Sequence, residues 1–253
     1  MNKLQFFVIL CYLIPVLNPI YPLGLTFSFF SKLVGWDWIS NRTNNLLAYI
    51  WMKSFFVLTL TKLKVSLDGW DPMATNRFLI CNHTNALEVP LFVSLPYLSG
   101  NKDLKLSYLG GDIIQRYKIF PLMMHKVIVE AIIFSETNPD FRNFKKDVMR
   151  VLQNRSIFLY PEGERTFTEE IRPFKTGVMK MAYKFKVDVD VFVVHGLMDY
   201  ASEEDLNKKT PKNGISFAYG GTVSPRNCES FEVFLDNAQK LMRDKKSKII
   251  PSI

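Results

Sequence analysis

The segment Arg77-Phe-Leu-Ile-Cys-Asn-His-Thr-Asn-Ala-Leu-Glu88 reads as a strand running straight into a polar turn. His83 then sits at the carboxyl end of a strand, where open α/β sheets place their ligands. Glu88 follows five residues on. Around one regular helix the two would stand roughly 140° apart, so they meet only if His83 occupies the turn and Glu88 the first helical turn after it. A carboxylate folded back onto the imidazole would orient and charge it, as the acid does in a serine-protease triad. No serine in a nucleophile-elbow context adjoins the pair. The chemistry it suits is therefore general-base removal of a proton from a hydroxyl that the substrate supplies. The same letters also arise where a histidine merely caps a helix beside a surface glutamate.

A second block, Ser156-Ile-Phe-Leu-Tyr-Pro-Glu-Gly-Glu-Arg-Thr-Phe167, is again a strand ending in a polar turn. Pro161 and Gly163 bend it, and Glu162 and Arg165 project charge from the bend. An arginine in such a turn suits a bidentate grip on phosphate. Its alternative employment is an ion pair with Glu162, Glu164 or Glu169. Arg172-Pro-Phe-Lys-Thr-Gly177 adds two cations, Arg172 and Lys175, and a helix start at the glycine, whose backbone donors also favour phosphate.

Short apolar runs alternating with amphipathic ones must position these blocks. Strands are expected at Leu63–Leu67, Phe78–Cys81, Leu104–Leu109, Val127–Phe134, Ser156–Tyr160, Val189–Val194 and Ile215–Tyr219, and helices at Val89–Leu98, Phe141–Gln153 and Thr176–Phe185. The alternation predicts an α/β domain over residues 62–253, with a largely parallel central sheet flanked by helices. The tail Lys240–Lys248 is expected to be a basic, solvated end.

Residues 1–61 differ in texture. Between Lys3 and Lys32 no charged residue occurs for 28 residues, long enough to reach across or into a bilayer. Pro15, Pro19, Pro22 and Gly24 argue against one straight spanning helix. A helix over about residues 4–16 followed by a bent interfacial segment is expected, making 1–61 a membrane-embedded helical segment. Leu46–Thr61, with Trp36, Trp38 and Trp51 nearby and Lys53 inside, reads equally as a helix dipping into one leaflet or as an ordinary core helix.

With 253 residues, 48% hydrophobic and 22% charged, the chain holds one sizeable domain rather than disorder. A net charge of +8 favours an anionic partner. Nucleic acid is the weaker choice, because no basic–aromatic motif accompanies the charge. Cys11, Cys81 and Cys228 share no metal spacing and form no disulfide framework, and no metal ligand set is apparent. His125, in an apolar stretch, is expected to be structural; His195 at a strand end suits either the cleft or a structural place.

In this order, the blocks resemble those of the glycerophospholipid acyltransferase family (PlsC-like lysophospholipid acyltransferases), whose marks are Asn-His-x4-Asp and Pro-Glu-Gly-Thr-Arg. The resemblance covers about Lys62 to Gly196 and includes Phe174-Lys175-Thr176-Gly177. It implies an enzyme transferring a fatty acyl chain from acyl-CoA to a lysophospholipid. His83 would be the base, Glu88 its partner, and Glu162, Gly163, Arg165 and Lys175 the acceptor-phosphate contacts. Acylation of 1-acylglycerol-3-phosphate to phosphatidate is the expected reaction. Another lysophospholipid, glycerol 3-phosphate, or a catalytically weak lipid-binding membrane protein are the alternatives. Acyl-CoA enters as co-substrate with no cofactor, membrane lipid is the other partner, and the endoplasmic reticulum is the expected membrane in a eukaryote. Four departures stand out: Glu88 for the family's Asp, Glu164 for its Thr, no basic residue in Ala131-Ile-Ile-Phe-Ser-Glu-Thr137, and His195-Gly196 closing a block that lacks its usual proline.

Overall fold

A computed structural model describes residues 20–58, 60–84, 88–111, 127–135, 140–166, 168, 170–197 and 214–249. Among them, seven strands form one sheet: β1 (Leu63–Ser66), β2 (Phe78–Cys81), β3 (Leu106–Gly111), β4 (Ile132–Phe134), β5 (Ser156–Leu159), β6 (Val189–His195) and β7 (Ile215–Val223). Their order across the sheet is β1-β7-β6-β2-β5-β3-β4. Strands β2 to β6 are mutually parallel, β7 runs antiparallel to β6, and β1 pairs parallel with β7. The expected α/β class and largely parallel sheet are those observed.

The central strands β2 and β5 are buried at every residue, because helices cover both faces. Leu79, Cys81, Phe158, Phe192 and Val194 point to one side. There they meet α1 (Ile20–Leu33), α2 (Asp37–Leu58), α3 (Glu88–Val93) and α4 (Leu95–Leu98). Their chain neighbours Phe78, Ile80, Ile157, Leu159, Val191 and Val193 point to the other. They meet α5 (Phe141–Leu152), α6 (Thr176–Phe185) and α7 (Phe231–Ile249). Phe92 of α3 sits at the heart of the first layer, stacked on Phe158 and edge-on to Phe192 and Phe217.

Several elements depart from expectation. The helix expected over Val89–Leu98 is two pieces, because Pro96 lacks the N–H that would continue the first and the Ser94 hydroxyl donates to the Pro90 carbonyl at 2.6 Å. The strand expected over Val127–Phe134 begins at Ile132; residues 127–129 form a helical turn that ends at Glu130, whose φ is +54°. The basic tail is no solvated end. It belongs to the 19-residue α7, which buries Phe234, Ala238 and Met242 at successive four-residue steps. Residues are charged around these positions, and only the i, i+4 stripe marks the packed face.

The N-terminal expectation is also corrected. Among the described residues no helix is long and apolar enough to cross a membrane. The 14 residues of α1 reach about 21 Å, against about 30 Å of hydrocarbon. In place of a bent segment, α1 is regular helix: Pro22 falls in its first turn, where the missing N–H has no intrahelical acceptor anyway. The helix expected over residues 4–16 lies outside the described residues. Helix α2 buries Met52, Phe55 and Phe56 against the sheet layer, and also Ser40, Asn41, Asn44 and Asn45, while Trp38 and Val57 stay exposed. The two helices approach closely because Gly24 lies against Leu47 and the Ser28 hydroxyl donates to the Ser40 carbonyl at 2.6 Å.

Candidate active site

Strands β2 and β5 are parallel neighbours, so the turns that follow them lie side by side at the carboxyl edge of the sheet. That adjacency brings His83 and Glu162, 79 residues apart in sequence, into direct contact: the His83 backbone N–H donates to Glu162 Oε1 at 3.0 Å. The other carboxylate oxygen, Oε2, accepts the Arg172 backbone N–H at 2.9 Å. Glu162 is thus a buried clamp joining three chain segments. Burial pushes its carboxyl up from the usual carboxylate range, against the N–H groups of Arg172 and His83 and the buried Lys246 of α7, which pull it down.

Among the described residues, His83 is held at every polar atom but one. Its carbonyl accepts from Thr166 N–H at 2.7 Å and the Thr166 hydroxyl at 3.1 Å. Its Nδ1 lies 2.6 Å from Glu88 Oε2, and Glu88 is 0% exposed. Glu88 opens α3, as the back-folded pairing requires, and its Oε1 accepts from both the Thr84 N–H and hydroxyl at 2.7 Å. A carboxylate only accepts, so Nδ1 is the donor in this contact and Nε2 is the ring nitrogen turned away from Glu88. The His83 side chain is 17% exposed, whereas Glu88 behind it is fully buried. The imidazole also lies flat on the Tyr160 ring, centroids 3.9 Å apart and planes 10° from parallel.

Tyr160, Thr84 and Thr166 carry no role in the sequence reading, and Asn82 enters it only as the first letter of the Asn-His mark. Asn82 is buried, and its side-chain amide exchanges two 2.9 Å hydrogen bonds with the Val194 backbone, continuing β2 onto β6 one residue beyond its backbone pairing. The strand-into-polar-turn pattern was the available signal, since a buried amide at a strand end needs a partner. Cys81, one step inside, is no nucleophile. Burial, then the charges of Glu88 and Glu162, push its thiol well above the usual range and keep it protonated.

The cations of the second block are arranged unequally. Arg172 pairs with Glu164 at 2.7 Å, so each offsets the other's charge. Arg165, half-buried, makes no ion pair among the described residues, although its field reaches Tyr160. Of its expected ion-pair partners, Glu162 and Glu164 are engaged elsewhere and Glu169 lies outside the described residues. Gly163 has φ +75°, and an added Cβ would overlap the aliphatic stem of Lys175. Its lack of a side chain lets Lys175 cross the turn. Helix α6 spans Thr176–Phe185 as expected, with Lys175 at the N-cap position and no side-chain cap hydrogen bond. His195 ends β6, on the strand beside β2, while His125 lies outside the described residues.

The family model "Acyltransferase" matches residues 65–194, just over half of the chain and spanning both turns. The chain belongs to the acyltransferase family. Membership makes an acyl donor and an acyl acceptor the two substrates of this acyltransferase. The fold is similar to that in the crystal structure of the 1-acyl-sn-glycerophosphate (LPA) acyltransferase, PlsC, from Thermotoga maritima. The TM-score is 0.76, covering 100% of this chain and 99% of that one at 14% identity. No curated protein sequence matches the acyltransferase.

Proposed function

We propose that the acyltransferase moves a fatty acyl group from acyl-CoA to the free hydroxyl of a lysophospholipid, with 1-acylglycerol-3-phosphate as acceptor and phosphatidate as product. The observation that carries this is the His83–Glu88 pair standing beside Arg165 on the neighbouring turn: a base for a hydroxyl next to a cation for a phosphate. His83 Nε2 takes the hydroxyl proton as the oxygen attacks the thioester carbonyl. The tetrahedral adduct then expels CoA as a thiolate, which takes the proton back from the imidazolium. Glu88 balances the charge on the ring during both transfers. Glu162 and Gly163 shape the turn, and Arg165 with Lys175 supplies its positive charge.

Labelled acyl-CoA incubated with the purified protein and a panel of lyso-acceptors tests this. The expected result is CoA release and diacyl product with 1-acylglycerol-3-phosphate. Preference for another lysophospholipid or for glycerol 3-phosphate would move the acceptor, and no turnover with any acceptor would leave a lipid-binding protein. Arg165 gives a sharper test. A charge-assisted hydrogen bond is worth roughly 1.5–3 kcal/mol. Arg165→Ala is therefore expected to raise the acceptor KM about 10- to 150-fold and to leave the acyl-CoA KM nearly unchanged. Equal losses for both substrates with a lower melting temperature would make Arg165 a structural residue.

We further infer that residues 1–61 hold the enzyme on a membrane, that of the endoplasmic reticulum in a eukaryote, while residues 62–253 carry the chemistry. Leu23, Phe27, Phe30 and Val34 line one side of α1 and its end, each more than half exposed, with Trp36 and Trp38 beside them. A contiguous apolar strip with flanking tryptophans suits the headgroup boundary. Phe27→Asp with Phe30→Asp should abolish flotation with phospholipid vesicles at little cost in melting temperature, because both side chains are exposed. Undiminished flotation would place the membrane contact elsewhere.

A further inference from the structure

We propose that Tyr160 is a positioning residue for His83, its ring forming the wall that sets the plane of the imidazole and so the direction of the Nε2 lone pair. The proposal rests on His83 being the base of the transfer reaction. A single hydrogen bond from Nδ1 to Glu88 fixes one point on the imidazole and leaves it free to tilt about that bond. Proton transfer needs the lone pair aimed at the hydroxyl. The parallel contact with Tyr160, at 3.9 Å and 10°, removes the tilt.

The wall itself is rigid. Tyr160 is pinned between the last residue of β5 and Pro161, and its ring meets Phe92 and Phe158 edge-on, at 89° and 77°. Phe92 and Phe158 are in turn stacked on each other in the layer beneath the sheet. The orientation of the His83 ring is thereby referred to the aromatic core, and Glu88 supplies charge and tautomer. Among the described residues the buried Tyr160 hydroxyl has no hydrogen-bond partner. The position is held by the ring, and the two parts of the side chain can be tested apart.

The test compares wild type, Tyr160→Phe and Tyr160→Leu as full-length proteins in detergent, with acyl-CoA and 1-acylglycerol-3-phosphate. Tyr160→Phe keeps the stack and should retain kcat within about threefold. Tyr160→Leu keeps apolar bulk but no aromatic face, and should lose about 10- to 100-fold in kcat, the scale of a small misplacement of a reacting group, with both KM values unchanged. In NMR spectra the His83 ring protons should carry an upfield ring-current shift in wild type and Tyr160→Phe that disappears in Tyr160→Leu. Wild-type kinetics in Tyr160→Leu would overturn the proposal. So would a loss in Tyr160→Phe equal to that in Tyr160→Leu, which would assign the effect to the hydroxyl. A rise in both KM values parallel to a fall in melting temperature would reduce Tyr160 to packing. Absence of transfer by wild type to any acceptor is a different failure, that of the proposed function, and the NMR shifts would still report the stack.

Discussion

His83→Ala is expected to lower kcat by about 10²–10⁴-fold, the usual worth of a positioned general base. His83→Gln should be as inactive while staying folded, because its amide can still donate to the buried Glu88 carboxylate. Steady-state rates and melting temperatures on both variants decide this. Turnover within a few-fold of wild type would remove His83 from the chemistry. The partner has its own signature. Both Glu88 oxygens accept, one from His83 and the other from Thr84. A glutamine there must turn an N–H2 toward one of those donors, and it brings no charge to meet an imidazolium. Glu88→Asp keeps the charge at the expense of one methylene. Its kcat should exceed that of Glu88→Gln; the reverse order would make Glu88 a spacer.

Arg155→Ala is expected to produce the largest loss of stability. Arg155 is 2% exposed and donates from Nε and Nη2 to Glu130 and from Nη1 to Asn41 Oδ1 at 2.6 Å. Lys32 of α1 and Arg150 of α5 bind the same Glu130 carboxylate. The cluster thus ties α1, α2 and α5 to the sheet. Breaking a buried ion pair from one side costs about 3–5 kcal/mol; because Glu130 retains two other cations, the lower end applies. At 2–4 °C per kcal/mol in a chain of this size, the melting temperature should fall by about 6–12 °C. A drop under about 2 °C would show that the remaining cations suffice.

The same cluster sets a pH dependence. Burial alone would raise the Glu130 carboxyl, but the Lys32 ammonium and the Arg155 guanidinium outweigh it and bring it from 4.5 to about 2. A lowered folded-state value means that stability is fully present above 4.5 and drains away as pH falls toward 2. The gap in melting temperature between wild type and Glu130→Gln should be widest above about pH 5 and narrow below it. A gap independent of pH over that window would exclude the ionised carboxylate as its source.

Where apolar pattern and local chemistry agreed, the sequence determined the outcome by itself. Phe78–Cys81 and Ile157–Leu159 are short apolar runs that end in polar turns, and runs this short and rich in Ile and Phe suit strands covered on both faces. His83 and Glu88 were legible as a pair because a turn followed at once by a helix is the one local geometry that lets them meet. Gly163 was legible as a bend, and the family marks pointed to His83, Arg165 and Lys175. Arg155 and Glu130, by contrast, carry no sequence pattern, since their meeting depends on which helices lie over the far edge of the sheet. The strand expected from Val127 failed for the same reason: Glu130 takes a left-handed turn at the centre of that ion cluster, and hydrophobicity says nothing of it. Helix α7 was hidden by its charge, because half of its surface faces solvent.

Only the tertiary structure decided how the two motif turns are joined. Strand order places β5 beside β2, and that adjacency turns Glu162 inward as a clamp on the His83 backbone. It also leaves Arg165 clear of the described carboxylates and lays Tyr160 against the imidazole. Contacts between residues 79 apart arise from sheet order, which periodicity along the chain does not encode. The chain could announce a histidine and its carboxylate; the packing of two neighbouring strands lays the imidazole against Tyr160.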